Sequence, residues 1–247
     1  MNKSLKYIAI TICLLIFCIG TFSQNRKYLY GGIQISDYRN KLAFNYIIND
    51  FNNYHQIYDV NTTHRFCLPD YILGYTFGYK IHARFSEFGG NIYFNKFSSL
   101  AEGKEINGTE YYKKLIVTYN GFHLFYRILP INTNFLRTGP GIGLKIEQFK
   151  AKIDLNKEEV FNSIIPTSKA LISGQVNYYV SIGGPKFNFD IGIFLQVPFW
   201  QIELDLLNYQ LNEGYAVSYD DGQLNFNSIL YGITFTIGLG SKENYHF

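Results

Sequence analysis

The stretch from Ser228 to Gly240, S-I-L-Y-G-I-T-F-T-I-G-L-G, constrains this chain more than any other. Ile229, Tyr231, Ile233, Phe235, Ile237 and Leu239 take every second position, and Ser228, Leu230, Gly232, Thr234, Thr236, Gly238 and Gly240 lie between them. Side chains of a strand alternate between its two faces, so one face is hydrocarbon and the other mostly small or polar. A soluble sandwich can use one such strand with its apolar face inward. Repeated along a chain with an export signal, the pattern predicts a β-barrel whose apolar face turns outward to lipid.

The export signal is the first 23 residues. Lys3 and Lys6 give a basic start, residues 7–20 form an apolar core, and Thr21-Phe22-Ser23 supplies small residues for cleavage after Ser23. The segment is a secretory signal peptide, too short to span a bilayer comfortably. Cys13 follows Ile12 and Cys18 follows Phe17, where a lipoprotein signal needs a small residue. Both leave with the signal. Cys67 alone remains, which rules out an intramolecular disulfide, and a packed, small apolar role suits it better than a nucleophile's. Residues 24–247 form the barrel domain.

Loss of Lys3 and Lys6 takes the formal charge from +3 to +1, and the remaining Lys and Arg are scattered, which argues against nucleic acid as a partner. Tyr, Phe and Gly number 22 each. The aromatics suit strands and bilayer interfaces, and glycine lets side chains pack closely inside a narrow barrel. No apolar run long enough for a transmembrane helix follows the signal. Strands hide their hydrophobicity by alternating, so a membrane barrel stays open.

Alternation and turn residues mark eight strands, near 28–36, 71–82, 85–97, 112–128, 135–149, 170–183, 186–198 and 227–240. In the second, Tyr71, Leu73, Tyr75, Phe77, Tyr79 and Ile81 share one face, and Gly74, Thr76, Gly78, Lys80 and His82 the other. The fourth changes phase, from Leu115, Val117 and Tyr119 to Phe122, Leu124, Tyr126 and Ile128, and a bulge at Asn120-Gly121 would reconcile the halves. Connections alternate: 83–84, 129–134 and 184–185 are short, while 37–70, 98–111, 150–169 and 199–226 are long. The expected fold is all-β: an eight-stranded antiparallel up-and-down transmembrane β-barrel, with three short periplasmic turns and four long external loops. A barrel of eight strands is filled by side chains and is no open pore.

A soluble barrel would place its apolar face inward. Lys80, Glu87, Arg137, Lys145, Glu147 and Asp190 share parity with the glycines, which places charge inside, where the groups can pair. Tyr71, Tyr79 and Phe187 end strands on the opposite parity, as an interfacial girdle would. The chain thus resembles the small outer-membrane β-barrel proteins of Gram-negative bacteria, OmpA-like or PorT-like in size. The resemblance rests on the signal, the strand pattern, the alternating loops and a C-terminal Phe247, although the tail before Phe247 is polar. It implies a cell outer membrane location, outer-membrane lipid around the barrel, and a structural or secretion-assembly role.

The loops carry little chemistry. Leu42, Phe44, Tyr46, Ile47, Ile48 and Phe51 recur at helical spacing and predict an amphipathic helix over 41–52, ended by Asn52-Asn53, that caps the barrel mouth or lies at the membrane surface. His55, Asp59, His64 and Asp70 share that loop without a metal-ligand or H-E-x-x-H spacing. The last loop holds Glu203, Asp205, Glu213, Asp220 and Asp221, and lacks a calcium-loop pattern. Trp200, after Pro198 and Phe199, reads as an anchor at the outer rim. His82 is expected at the periplasmic end of the lumen. No catalytic, cofactor-binding or metal-binding residue is assigned, and no cofactor is expected. The leading expectation is a non-enzymatic barrel whose loops meet an envelope protein or glycan. The alternatives are a lipid-modifying barrel enzyme, with His64 and Asp59 its best loop pair, and a soluble exported lipocalin-like binder.

Overall fold

The computed structural model describes residues 26–38, 41–83, 85–155, 163–212, 220, 223–226 and 229–240. The expected signal peptide, Phe247, Glu213 and Asp221 lie outside these residues. Eight long strands follow in order: β1 (Arg26–Tyr38), β2 (Ile72–His82), β3 (Ser86–Glu105), β4 (Glu110–Ile128), β5 (Leu136–Asp154), β6 (Ser163–Gly183), β7 (Phe187–Pro198) and β8 (Leu230–Gly240). Each pairs antiparallel with its chain neighbours, and β8 pairs with β1, so the sheet closes into an up-and-down barrel.

The registers fix its geometry. Tyr28 pairs Lys80, Lys80 pairs Gly89, Gly89 pairs Phe125, and Phe125 pairs Gly143. Gly143 pairs Gln175, Gln175 pairs Gln196, Gln196 pairs Leu230, and Leu230 pairs Tyr38. The circuit that leaves β1 at residue 28 returns at residue 38, ten residues further on. With ~3.3 Å per residue and ~4.8 Å between strands, that stagger tilts the strands by about 40° and gives a backbone radius of ~8 Å.

Side-chain direction follows the predicted parity. Leu73, Tyr75, Phe77 and Tyr79 on β2 and Phe187, Ile191, Ile193, Leu195 and Val197 on β7 are exposed on the outside, while Lys80, His82, Asn188, Asp190 and Gln196 are buried inside. At about 2.5 Å of height per tilted residue, the outward apolar run from Phe187 to Val197 spans ~25 Å. Tyr71 and Phe187 sit at its borders, as expected of a girdle.

Strand four contains no bulge. Asn120 and Gly121 pair in unbroken register with Phe94 and Tyr93 on one side and with Gln148 and Glu147 on the other. The apolar set changes face because the surroundings change. Phe122, Tyr126 and Ile128 point outward in the belt, whereas Leu115, Val117 and Tyr119 point inward, in a part of the barrel that rises past it. Strand β5 does the same: Lys145 and Glu147 face inward, and then Phe149, Ala151 and Ile153. Strands β3, β5 and β6 therefore run well beyond their expected ends at the loop side, while β4 starts at Glu110, close to its expected start at 112. Much of connections 98–111 and 150–169 is strand, and β3 joins β4 through a tight turn at 106–109 where Gly108 adopts φ +87°.

The helix expected over 41–52 is longer, α1 (Leu42–Tyr58), and it caps the mouth. Asn52 does not end it. Its amide donates to the Phe66 carbonyl at 2.8 Å and its oxygen accepts from the Phe66 N–H at 3.1 Å, which ties the helix to the returning chain. Ala43, Phe44, Ile47, Ile48 and Phe51 are buried against the raised inner wall. A second helix, α2 (Asp205–Leu211), adds Leu207 and Leu211, and a short pairing of Ile202–Glu203 with Asn225–Phe226 adds Ile202 and Phe226. Together they form a hydrophobic plug across the loop end. No helix among the described residues is long and apolar enough to cross a membrane.

Candidate functional site

Below the plug the lumen is a stack of polar layers. Nearest the termini, Glu87 is fully buried. Its Oε1 lies 2.6 Å from Arg127 Nη1, and its Oε2 lies 2.8 Å from His82 Nδ1 and 3.4 Å from Lys80 Nζ. Lys80 also pairs with Asp190, which accepts from Asn188 Nδ2 at 2.7 Å and from Thr236 Oγ1 at 3.3 Å. The Arg127 guanidinium is sandwiched 4.2 Å from the rings of both Phe125 and Tyr179.

The next layer centres on Glu147. It accepts from Tyr93 OH, from Ser173 Oγ at 3.0 Å and from Gln196 Nε2 at 2.7 Å. Gln196 Oε1 accepts from Lys145 Nζ at 2.8 Å, and Lys145 lies over the Tyr93 and Phe194 rings at 4.5 and 5.1 Å. Gly121 faces Glu147 across the strands, and a Cβ there would come 2.3 Å from the Ile146 carbonyl oxygen, so the layer needs a glycine. Between the layers lies a cavity of about 40 Å³ lined by Gln34, His123, Gln175, Asn177 and their neighbours, room for a few waters at most. The lumen is a filled ionic core rather than a conduit.

Every charge expected inside is there. Arg127 and His123 also face inward, and the sequence did not reveal them because the phase change in β4 hid that strand's direction. The described lumen thus holds Lys80, Arg127, Arg137 and Lys145 against Glu87, Glu147 and Asp190. The surplus cation is identifiable. Arg137 is 1% exposed, and its guanidinium nitrogens make no hydrogen bond. Its guanidinium carbon lies 5.7 Å from the centre of the Tyr28 ring.

The loop residues do not assemble. His55 is buried, its ring 4.2 Å from Phe51 and 4.1 Å from Tyr111, as part of the plug. His64 is exposed, with Nε2 3.6 Å from Glu102 Oε1, while Asp59 pairs through its backbone with Glu105. Glu203 lies in the short strand pairing, Asp205 in the first turn of α2, and Asp220 beside Gln223. Among the described residues no group of three or more His, Cys, Asp or Glu side chains could hold a metal. Cys67 is exposed rather than packed, and its N–H donates to Ser99 Oγ of β3 at 2.8 Å. Trp200 is 41% exposed, and its indole N–H donates to the Ala170 carbonyl at 3.2 Å.

No family profile matches the sequence, and no curated protein does. Among solved structures, the chain is similar to Ail, the attachment invasion locus protein of Yersinia pestis, at 10% identity and a TM-score of 0.39, over 88% of this chain and 99% of that one. It is also similar to neisserial surface protein A, at 9% identity and a TM-score of 0.41, over 86% of this chain and 96% of that one. Identity this low leaves function to the side chains themselves.

Proposed function

We propose that this chain is a non-enzymatic outer-membrane β-barrel. The belt sits in the bilayer, the termini and short turns face the periplasm, and the plug stands outside the cell. One observation carries this reading: the barrel is apolar on the outside and ionic within. Tyr75, Ile142, Val176, Ile193 and Leu239 are all exposed on the outer wall. The belt they belong to is a continuous apolar surface far larger than soluble monomers tolerate, and its ~25 Å height matches a membrane barrel's. A lipocalin-like binder needs the reverse, and this lumen offers charged layers where a greasy ligand would sit.

The plug sets the role. It blocks the mouth and shows solvent Leu42, Tyr46, Ile57, Tyr58, Leu206 and Tyr209. Exposed tyrosine and aliphatic groups on a rigid support favour contact with an envelope protein or glycan, and aromatics are enriched at such interfaces. A place in a secretion assembly, as in PorT-like proteins, is the specific form of this reading. No observation favours a lipid-modifying enzyme, since His55 is packed into the plug and His64 faces Glu102.

Membrane fractionation and heat-modifiability test the proposal. In a Gram-negative host the full chain is expected in the outer membrane and to change gel mobility on boiling. A periplasmic protein with no shift would overturn it.

A further inference from the structure

The outer wall is not uniform around the external rim. On β3 the outward residues run Ile92, Phe94, Lys96 and Ser98; on β5 they run Leu144, Ile146, Gln148, Lys150 and Lys152. Lys96 and Lys150 lie in one ladder row, each paired with Thr118 of β4, so their backbones are ~10 Å apart. Lys152 stands one outward position above Lys150, and Lys114 of β4 stands higher still. From the tilt, Lys96 and Lys150 lie roughly 5–10 Å above the last belt residues, Phe94 and Ile146, which is headgroup depth.

The charge of three of these four lysines is not spent internally. Lys152 is paired with Asp154 at 2.8 Å, but Lys96, Lys114 and Lys150 have no ion pair among the described residues. Among the described residues, the acidic groups on these outward faces are Asp154, which is that partner, Glu102, which faces His64, and Glu110 at the start of β4. The opposite side of the rim carries Asp37, paired with Lys41 at 2.6 Å, and the phenols of Tyr71 and Tyr231, with Tyr231 OH donating to Asp37 at 3.0 Å. Lys96, Lys150 and Lys114, without an ion pair among the described residues, thus lie together on the β3–β5 side at successive heights above the belt.

We infer that this face is a docking surface for a phosphorylated outer-leaflet lipid, with Lys96 and Lys150 holding the phosphate and Lys114 above them meeting the rest of an anionic headgroup. The surface is continuous with the belt, so the ligand's chains lie against Phe94 and Ile146 while its phosphate reaches the lysines. The inference rests on the membrane reading above.

The molecule carries its own reporter. Trp200 is the only tryptophan. It bonds to Ala170, which pairs with Gln148, one outward position below Lys150. Refolded protein in vesicles of unbrominated phosphatidylcholine with rising fractions of brominated phosphatidic acid, compared with the same series of brominated phosphatidylcholine, reads the lipid at that point by quenching. The phosphate-bearing lipid is expected to compete for the site with about fivefold or greater preference over the neutral one, near the value of one lysine at a membrane surface. K96Q/K150Q is expected to remove the preference while quenching by phosphatidylcholine and the gel mobility shift stay as in the native chain. K96E/K150E is expected to reverse it. Equal quenching by both lipids in the native chain, or a preference that survives K96Q/K150Q, would overturn the inference and leave the barrel reading intact. Quenching by neither lipid would remove Trp200 from the bilayer and overturn the membrane reading itself.

Discussion

Single residues in the lumen fall into two kinds that behave oppositely on substitution. Glu87 compensates Arg127, Lys80 and His82 together. Replacement by Ala leaves buried cations without their anion, at a cost of about 3–5 kcal/mol. E87A should therefore lower the urea midpoint for unfolding in detergent micelles, and an unchanged midpoint would mean that the network is solvated. Arg137 has no hydrogen-bond or ion-pair partner among the described residues. A buried charge replaced by an apolar side chain of similar size is often neutral or stabilising, so R137M should leave that midpoint equal or raised. A marked fall would show that Arg137 has a partner in solution. Gly183 adopts φ +135°, and a Cβ there would meet the Phe187 carbonyl oxygen at 2.4 Å. G183V should slow refolding and reduce the heat-modifiable fraction on a gel, because it strains the turn that joins β6 to β7.

At the scale of elements, the plug is separable from the barrel. Its first helix, α1, packs through Phe44 on Phe226 and Phe97, and through Phe51 on Phe66, with ring centroids 4.8, 6.1 and 4.7 Å apart. The belt hydrogen bonds do not depend on these contacts. F44A should cost about 3–5 kcal/mol within the plug and open α1 to protease, while the gel shift on boiling persists. Loss of that shift would mean that plug and barrel fold as one unit. The elements also show what the sequence can tell. Strand number, inward charges and the capping helix were legible, because periods of two and 3.6 residues are local signals. The rise of β3–β6 beyond the belt was not. An apolar residue turned toward lipid and one turned toward a packed core look alike in sequence, so the inversion at Asn120-Gly121 read as a bulge. Asn52 misled for a related reason, since a residue that usually stops helices here bonds to Phe66 across space. Cys67 was also misread, because exposure depends on the path of the loop and not on residue type.

For the whole molecule, the filled lumen and the plug lie in series. A planar bilayer with inserted native protein should show no discrete conductance steps, and resolved steps would disprove the sealed lumen. The plug has a mechanical consequence as well. Its apolar core spreads across the raised inner walls of β3 to β6 and onto two helices, above a barrel of ~8 Å backbone radius whose inside is already occupied. Folded, it cannot pass back through. On the proposed membrane reading it acts like the head of a rivet set from the far side of a plate: with α1 and α2 closed over Phe97, Leu115 and Phe149, withdrawal requires the head to be taken apart first. The belt then needs only to hold the protein at the right depth, and its retention in the bilayer becomes a matter of the rate at which the plug comes undone.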